Sequence, residues 1–187
     1  MTRLVGICGA LRTASTNRLL LNEARRVFAP EDWIEADMHL PLYDGDLEAK
    51  GMPEIVQTLA DQIKAADGVV IACPEYNKAL TGVMKNALDW ISRTKGSPLR
   101  GKPVAIMSAA DGRGGGDRSQ FSLRLALTPF RARVLPGPEV MVADSSNQFD
   151  DEGRLKSDLY LKSLTELMGD LRKEIAMVAQ AEGRDQT

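Results

Sequence analysis

Residues 67–93 constrain the fold more than any other part of the chain. Gly68 opens a run of Val69, Val70, Ile71, Ala72 and Cys73, apolar throughout and β-branched at three successive positions. Such a run fits a strand buried on both faces, as in a parallel sheet, rather than the alternating kind. Pro74 has no N–H for a ladder and ends the strand. After Glu75-Tyr76-Asn77-Lys78 a second apolar pattern begins, with Leu80, Val83, Met84, Ala87, Leu88 and Ile91 on one helical face. Lys85, Asn86, Asp89 and Ser92 occupy the other face, so this is an amphipathic helix. A buried strand therefore delivers a charged, aromatic loop at its carboxyl end, which is where open α/β sheets bind ligands. The plain alternative is a connecting turn with no further role.

The same unit occurs at the N-terminus. Residues 4–8 are a short apolar strand, and Leu19, Leu20, Leu21, Ala24 and Val27 follow at helical spacing. Between them lie Arg12, Thr13, Ser15, Thr16 and Asn17. Unpaired N–H groups at a helix start carry partial positive charge and attract a phosphate. Ser15 and Thr16 add hydroxyls, Asn17 can cap or donate, and Arg12 supplies a planar charged fork. Capping alone would need fewer such groups. No Gly-Lys-Ser/Thr ending follows, which excludes a nucleoside-triphosphate P-loop, and Gly6 and Gly9 do not make G-x-G-x-x-G. A mononucleotide with a terminal phosphate suits what remains.

Residues 33–37 read as a second strand at a sheet edge, and residues 38–53 as a long irregular connection in which His39 is a surface residue. Pro53 begins a helix carrying Ile55, Val56, Leu59, Ile63 and Ala66. Residues 104–107 form another buried strand, which empties into Ser108, Ala109 and a loop with Gly112, Gly114, Gly115 and Gly116. Glycines there let backbone approach a ligand closely. A helix over residues 119–127 stops at Pro129, and a last strand over 134–143 is broken by Pro136-Gly137-Pro138. The closing helix carries Leu164, Met168, Leu171, Ile175 and Val178, and fraying is expected from Gln180 onward. No repeat or linker interrupts the chain, so residues 1–187 read as one domain.

Charge removes several function classes. With 24 basic and 26 acidic residues interspersed and a net charge of −2, no basic stripe exists for nucleic acid or an anionic membrane. No apolar run approaches the roughly 18 residues of a spanning helix, and the first residues lack a signal-peptide pattern. Cys8 and Cys73 each lie in an apolar run and read as small buried hydrophobes of a reducing compartment. A single histidine and no Cys/His cluster speak against a transition-metal site. The expectation is a soluble cytoplasmic protein.

Alternating strands and helices predict an α/β, flavodoxin-like, doubly wound five-stranded parallel sheet in the order 2-1-3-4-5, with helices on both faces. In that order the loops after strands one, three and four adjoin one crevice.

At these residues the chain resembles the NADPH-dependent FMN reductase family, which includes bacterial chromate and quinone reductases and some azoreductases. The resemblance is carried by Gly9-Ala10-Leu11-Arg12 with Ser15 and Asn17, by Pro74-Glu75-Tyr76-Asn77, and by Gly82 with Lys85-Asn86-Ala87-Leu88-Asp89-Trp90. Leu42-Tyr43-Asp44 and the glycine loop ending in Arg118 are also similar. The resemblance implies FMN as cofactor and NADPH or NADH as co-substrate, with hydride passing to the flavin and then to a quinone, azo, chromate or flavin acceptor. It places Ala10, Leu11, Arg12, Ser15, Thr16 and Asn17 at the phosphate. Pro74, Glu75, Tyr76 and Asn77 would line the ring, and Ser108 and Ala109 would approach its other edge. No side chain is required as a general base, because the chemistry belongs to the cofactor. Ala10 departs from the family's usual Ser, and the missing hydroxyl is expected to weaken FMN retention by about 0.5–1.5 kcal/mol. Homodimers or homotetramers are implied as well. The alternatives are a flavodoxin-type electron carrier without turnover of its own, and a flavin-free descendant with a regulatory or scaffolding role.

Overall fold

A computed structural model describes residues 1–183. Its parallel sheet runs β2-β1-β3-β4-β5, with β1 (Arg3–Cys8), β2 (Asp32–Glu35), β3 (Gly68–Ala72), β4 (Pro103–Ala109) and β5 (Arg133–Val134). The order is the expected flavodoxin-like one. The last strand position is shared, however, by β5 and by β6 (Val140–Val142), so the sheet has six strands where five were expected. β5 pairs with the start of β4 and β6 with its end. The prolines at 136 and 138 lack N–H donors and cannot continue a ladder between them.

Both faces of the sheet are covered, and the period-two alternation of each strand assigns its side chains. Leu4 and Cys8 of β1, Val70 and Ala72 of β3, and Ala105, Met107 and Ala109 of β4 join one apolar cluster. That cluster is closed by α1 (Thr16–Phe28) and α6 (Asp158–Ala181), which pack on one another. Val5 and Ile7, Val69 and Ile71, and Val104 and Ile106 face the opposite way. There they meet α3 (Glu54–Ala65), α4 (Gly82–Arg93) and α5 (Asp117–Leu127). Gly6 makes room on β1, since a Cβ there would lie 2.3 Å from the Trp33 ring.

Part of the connection read as irregular is a short helix, α2 (Gly45–Ala49), started by Asp44, whose side chain accepts the Asp46 N–H. Pro53 stands just before α3 rather than inside it. The sequence pair Asn86 and Trp90 turns out to hold this connection. Both donate to the Pro41 carbonyl, at 2.9 and 2.8 Å, while Asn86 accepts the Tyr43 N–H at 2.8 Å. The Tyr43 ring meets the Trp90 ring edge to face. In α6, Leu164, Met168, Leu171 and Ile175 are buried at the expected spacing. The helix continues through Ala181, and residues 184–187 lie outside the described residues. Among the described residues no helix is long and apolar enough to cross a membrane.

Candidate active site

The carboxyl ends of β1, β3 and β4 open into one hollow of about 730 Å³, within the range of small-molecule sites. Its walls include Arg12, Ser15, Thr16 and Asn17 from the first loop, Pro74 to Lys78 from the second, and Ala109 to Arg118 from the third. Residues 64 positions apart in sequence, Arg12 and Tyr76, thus line one cavity. Of the residues singled out from the sequence, Ala10, Leu11 and Ser108 do not line it. Ala10 is buried in the core cluster, and Leu11 is turned outward.

The first wall is a helix start with its donors open. Ser15 caps α1, accepting the Asn17 N–H, and its carbonyl accepts from Arg18 and Leu19. The amides of residues 11–14 and of Thr16 make no bond to another group among the described residues. With the Arg12 guanidinium on the same wall, they form a set of N–H donors and one full positive charge. That set matches a phosphate monoester.

Asn17 braces the fold as well as lining the hollow. Its side chain is buried, with Nδ2 donating to the Ala109 carbonyl at 2.7 Å and Oδ1 accepting the Ala109 N–H at 3.0 Å. Both ends of the amide are therefore used to lock α1 to the end of β4. Ser108 likewise acts as a brace. Fully buried, its hydroxyl donates to the Gly115 carbonyl at 2.7 Å and accepts from Gln120 Nε2 at 2.9 Å. It anchors the glycine loop from beneath.

The second wall is a two-residue hairpin. Tyr76 and Ala79 exchange both backbone hydrogen bonds, and Asn77 and Lys78 between them have φ of 51° and 70°. Two positive φ values are the mark of a type I′ turn, which Asn fits and Lys does not. The turn leaves Tyr76 54% exposed, its ring free to flank a ligand. Glu75 reaches across to the third wall, where its Oε2 accepts the Arg118 N–H at 3.2 Å.

Two residues not singled out from the sequence complete the frame. Thr81 is fully buried; its hydroxyl donates to the Gly9 carbonyl at 2.7 Å and accepts the Met84 N–H at 3.1 Å. It caps α4 and ties the first loop to the second. The N-cap position ahead of Gly82 was the available signal; the partner at Gly9 was not readable. Ser145 enters from the loop after β6, meeting Thr16 Oγ1 at 3.1 Å and donating to Asp111 at 3.0 Å. Asp111 also accepts the hydroxyl and N–H of Ser146. These bonds hold its carboxyl below the ordinary aspartate range.

Cys73 lies beside the hollow at the end of β3, and Cys8 is on the opposite face of the sheet. Burial pushes both thiols up, against weaker lowering from nearby hydrogen bonds, so neither is a ready thiolate at neutral pH. Lys85 and Asp89 pair with each other at 2.6 Å on the outer face of α4. His39 pairs with Asp37 on the surface.

The profile of the NADPH-dependent FMN reductase family matches residues 2–147. The chain is 44% identical over 158 residues to an NAD(P)H-dependent FMN reductase of Pseudomonas aeruginosa, covering 83% of this chain and 85% of the relative. A quinone reductase of Escherichia coli strain K12 is 39% identical over 155 residues, covering 80% and 82%. Among solved structures, the flavoenzyme NAD(P)H:(acceptor) oxidoreductase FerB of Paracoccus denitrificans superposes with a TM-score of 0.80 at 26% identity, covering 96% of this chain and 98% of that one. A matched profile over most of the chain, curated relatives over four-fifths of it and a shared fold give one conclusion: this chain belongs to the NADPH-dependent FMN reductase family.

Proposed function

We infer that this chain is an FMN-dependent NAD(P)H oxidoreductase that reduces a small acceptor of the quinone type, with azo compounds, chromate and free flavin as further candidates. The observation that carries the reading is the single hollow shared by the donor-rich start of α1 and the Pro74–Asn77 hairpin. One end offers open amides and Arg12 to a phosphate; the other offers an aromatic and backbone wall to a flat ring. When bound, FMN supplies the redox chemistry, accepting hydride from the nicotinamide and passing reducing equivalents to the acceptor.

The chain's own residues bind, orient and enclose. Arg12 and the amides of residues 11–14 and of Thr16 hold the phosphate, with Ser15 shaping the turn. Pro74, Glu75, Tyr76 and Asn77 flank the ring on one side and Ala109 closes the other. Thr81, Asn17 and Ser108 keep these walls in register through bonds to Gly9, Ala109 and Gly115. The names of the relatives are those of reductases, which favours turnover over an electron-carrier role.

We read the chain as one domain and as a cytoplasmic homodimer or homotetramer. What supports assembly is α5, where Phe121 and Leu125, four residues apart on one helical face, are 62% and 76% exposed. Sedimentation analysis would give the stoichiometry. The central test is direct: purified protein should be yellow, retain FMN through gel filtration and oxidise NADPH or NADH with a quinone. Colourless protein that neither takes up FMN nor oxidises a nicotinamide would defeat the reading.

A further inference from the structure

Gln120 is almost wholly buried in the first turn of α5, on the side of a helix where apolar residues ordinarily sit. Its amide can be oriented in one way only. Nε2 lies 2.9 Å from the Val140 carbonyl and 2.9 Å from Ser108 Oγ. A carbonyl only accepts, so the nitrogen of the amide, not the oxygen, faces Val140. That nitrogen only donates, so the Ser108 hydroxyl accepts from it and turns its own hydrogen to the Gly115 carbonyl, 2.7 Å away. Ser119, the preceding residue, donates to the Cys73 carbonyl at 3.2 Å and fixes the helix from which Gln120 reaches. Gln120 Oε1 has no hydrogen-bond partner among the described residues. A side chain serving stability alone would not leave a buried acceptor bare.

This chain of bonds ends on one peptide. The peptide joining Gly115 to Gly116 is trans, so its N–H points away from its C=O. With the Gly115 carbonyl drawn down to Ser108, the Gly116 N–H is directed away from Ser108 and makes no hydrogen bond among the described residues. Both glycines line the hollow. Their φ values are 59° and 94°, and no Cβ on either side opposes rotation of the peptide between them. Rotated, the peptide would present a carbonyl oxygen where it now presents a hydrogen. The glycine backbone does not by itself decide between the two; the buried Ser108 and Gln120 do.

We propose that Ser108 and Gln120 are positioning residues: they hold the Gly115–Gly116 peptide with its N–H, not its carbonyl, toward the ligand in the hollow, and so favour reduced over oxidised flavin. Reduced FMN carries negative charge on its ring at neutral pH. A preorganised N–H dipole stabilises such charge, and a carbonyl in its place opposes it. The proposal rests on the reading of the hollow as a flavin reductase site. Asp111, Arg113, Asp117 and Arg118 stand on the same wall and act on that charge as well. Neutral substitutions at 108 and 120 leave all four in place, which isolates the effect of the peptide.

The midpoint potential of bound FMN, read by reductive titration against a dye of known potential, tests it in native protein, Gln120→Met and Ser108→Ala. Each variant should lose about ten-fold more affinity for reduced than for oxidised FMN, the worth of one hydrogen bond to a charged group. That ratio lowers the two-electron potential by about 30 mV. The double variant should shift no further than Ser108→Ala alone, since Gln120 acts through that hydroxyl. In isotope-labelled native protein the Gly116 amide should exchange with solvent about ten-fold more slowly once FMN is bound, the protection of one new hydrogen bond; this readout needs no variant to fold. Variants that hold FMN at the native potential, whatever their stability, or a Gly116 amide indifferent to FMN, overturn the proposal and leave the reading of the site intact. Native protein that takes up no FMN removes that reading, and the proposal with it.

Discussion

Asn17 on α1 and Ala109 at the end of β4 are joined by a pair of hydrogen bonds, at 2.7 and 3.0 Å, that uses both the donor and the acceptor of the side-chain amide. The bond sits between the wall assigned to the phosphate and the wall assigned to the ring edge. It is buried from water, so each group depends on the other. The spacing of those two walls is set there.

Asn17→Ala leaves the Ala109 N–H and carbonyl buried and unpaired. The expected loss is about 2–4 kcal/mol, since each orphaned group costs roughly 1–3 kcal/mol. Urea denaturation measures it, and FMN affinity should fall with it. An unchanged midpoint would mean that water replaces the amide.

Thr81→Val removes the bond to Gly9 and the cap of α4 while keeping the shape of the side chain. A loss of about 1–2 kcal/mol is expected from the cap, with Thr81→Ser restoring most of it. The Thr81→Val protein should also bind FMN more weakly, because the first loop is released from the second. Thermal unfolding with and without FMN separates the two effects.

Arg12→Ala takes a full charge from the phosphate wall. FMN dissociation constants, read by quenching of flavin fluorescence, should rise about ten-fold or more, corresponding to a charge-assisted bond of roughly 1.5–3 kcal/mol. The native protein should lose affinity with added salt more steeply than the variant. Parallel salt slopes would place the phosphate elsewhere.

Lys78 adopts φ of 70° in the hairpin, a conformation that costs a non-glycine residue roughly 1 kcal/mol. Lys78→Gly makes the turn Asn-Gly, the sequence favoured for two positive φ values. A gain of at most about 0.5 kcal/mol is expected after the added chain entropy of glycine is subtracted. Should the variant unfold at a lower temperature, the ion pair of Lys78 with Glu75 outweighs the strain.

Glu23 is buried on α1, where it accepts bonds from Arg26, Arg154 and the Leu155 N–H. Burial alone would raise its carboxyl, but the two arginines and the amide outweigh it and the net shift is downward. A depressed folded-state value contributes stability that is complete above the unfolded range, from roughly pH 5 upward, and is lost as pH falls through the folded value. The stability gap between native protein and Glu23→Gln should therefore be widest near neutral pH and narrow on acidification. A gap independent of pH would show that the arginines do not favour the ionised form.

The sequence by itself determined the strand and helix order, which loops follow β1, β3 and β4, and the donor-rich character of the α1 start. Those features are local. Apolar periodicity is written in neighbouring residues, and a helix start needs only its own first turn. The motif pieces around Tyr43 and Trp90 were visible in the same way, though not that they bind one another.

Tertiary structure decided where each polar side chain spends its hydrogen bonds. Asn17 could cap, donate to a ligand or brace a strand, and its partner at Ala109 lies 92 residues away. Ser108 carries the same hydroxyl whether it faces a ring or, as here, the Gly115 carbonyl underneath. Thr81 reaches Gly9 across 72 residues, and Ser145 reaches Thr16 across 129. The split of the last strand into β5 and β6 depends on where β4 offers free ladder positions. A polar group's choice of partner is a competition settled only when distant segments are brought within about 3 Å in a buried setting, and no local pattern encodes that outcome.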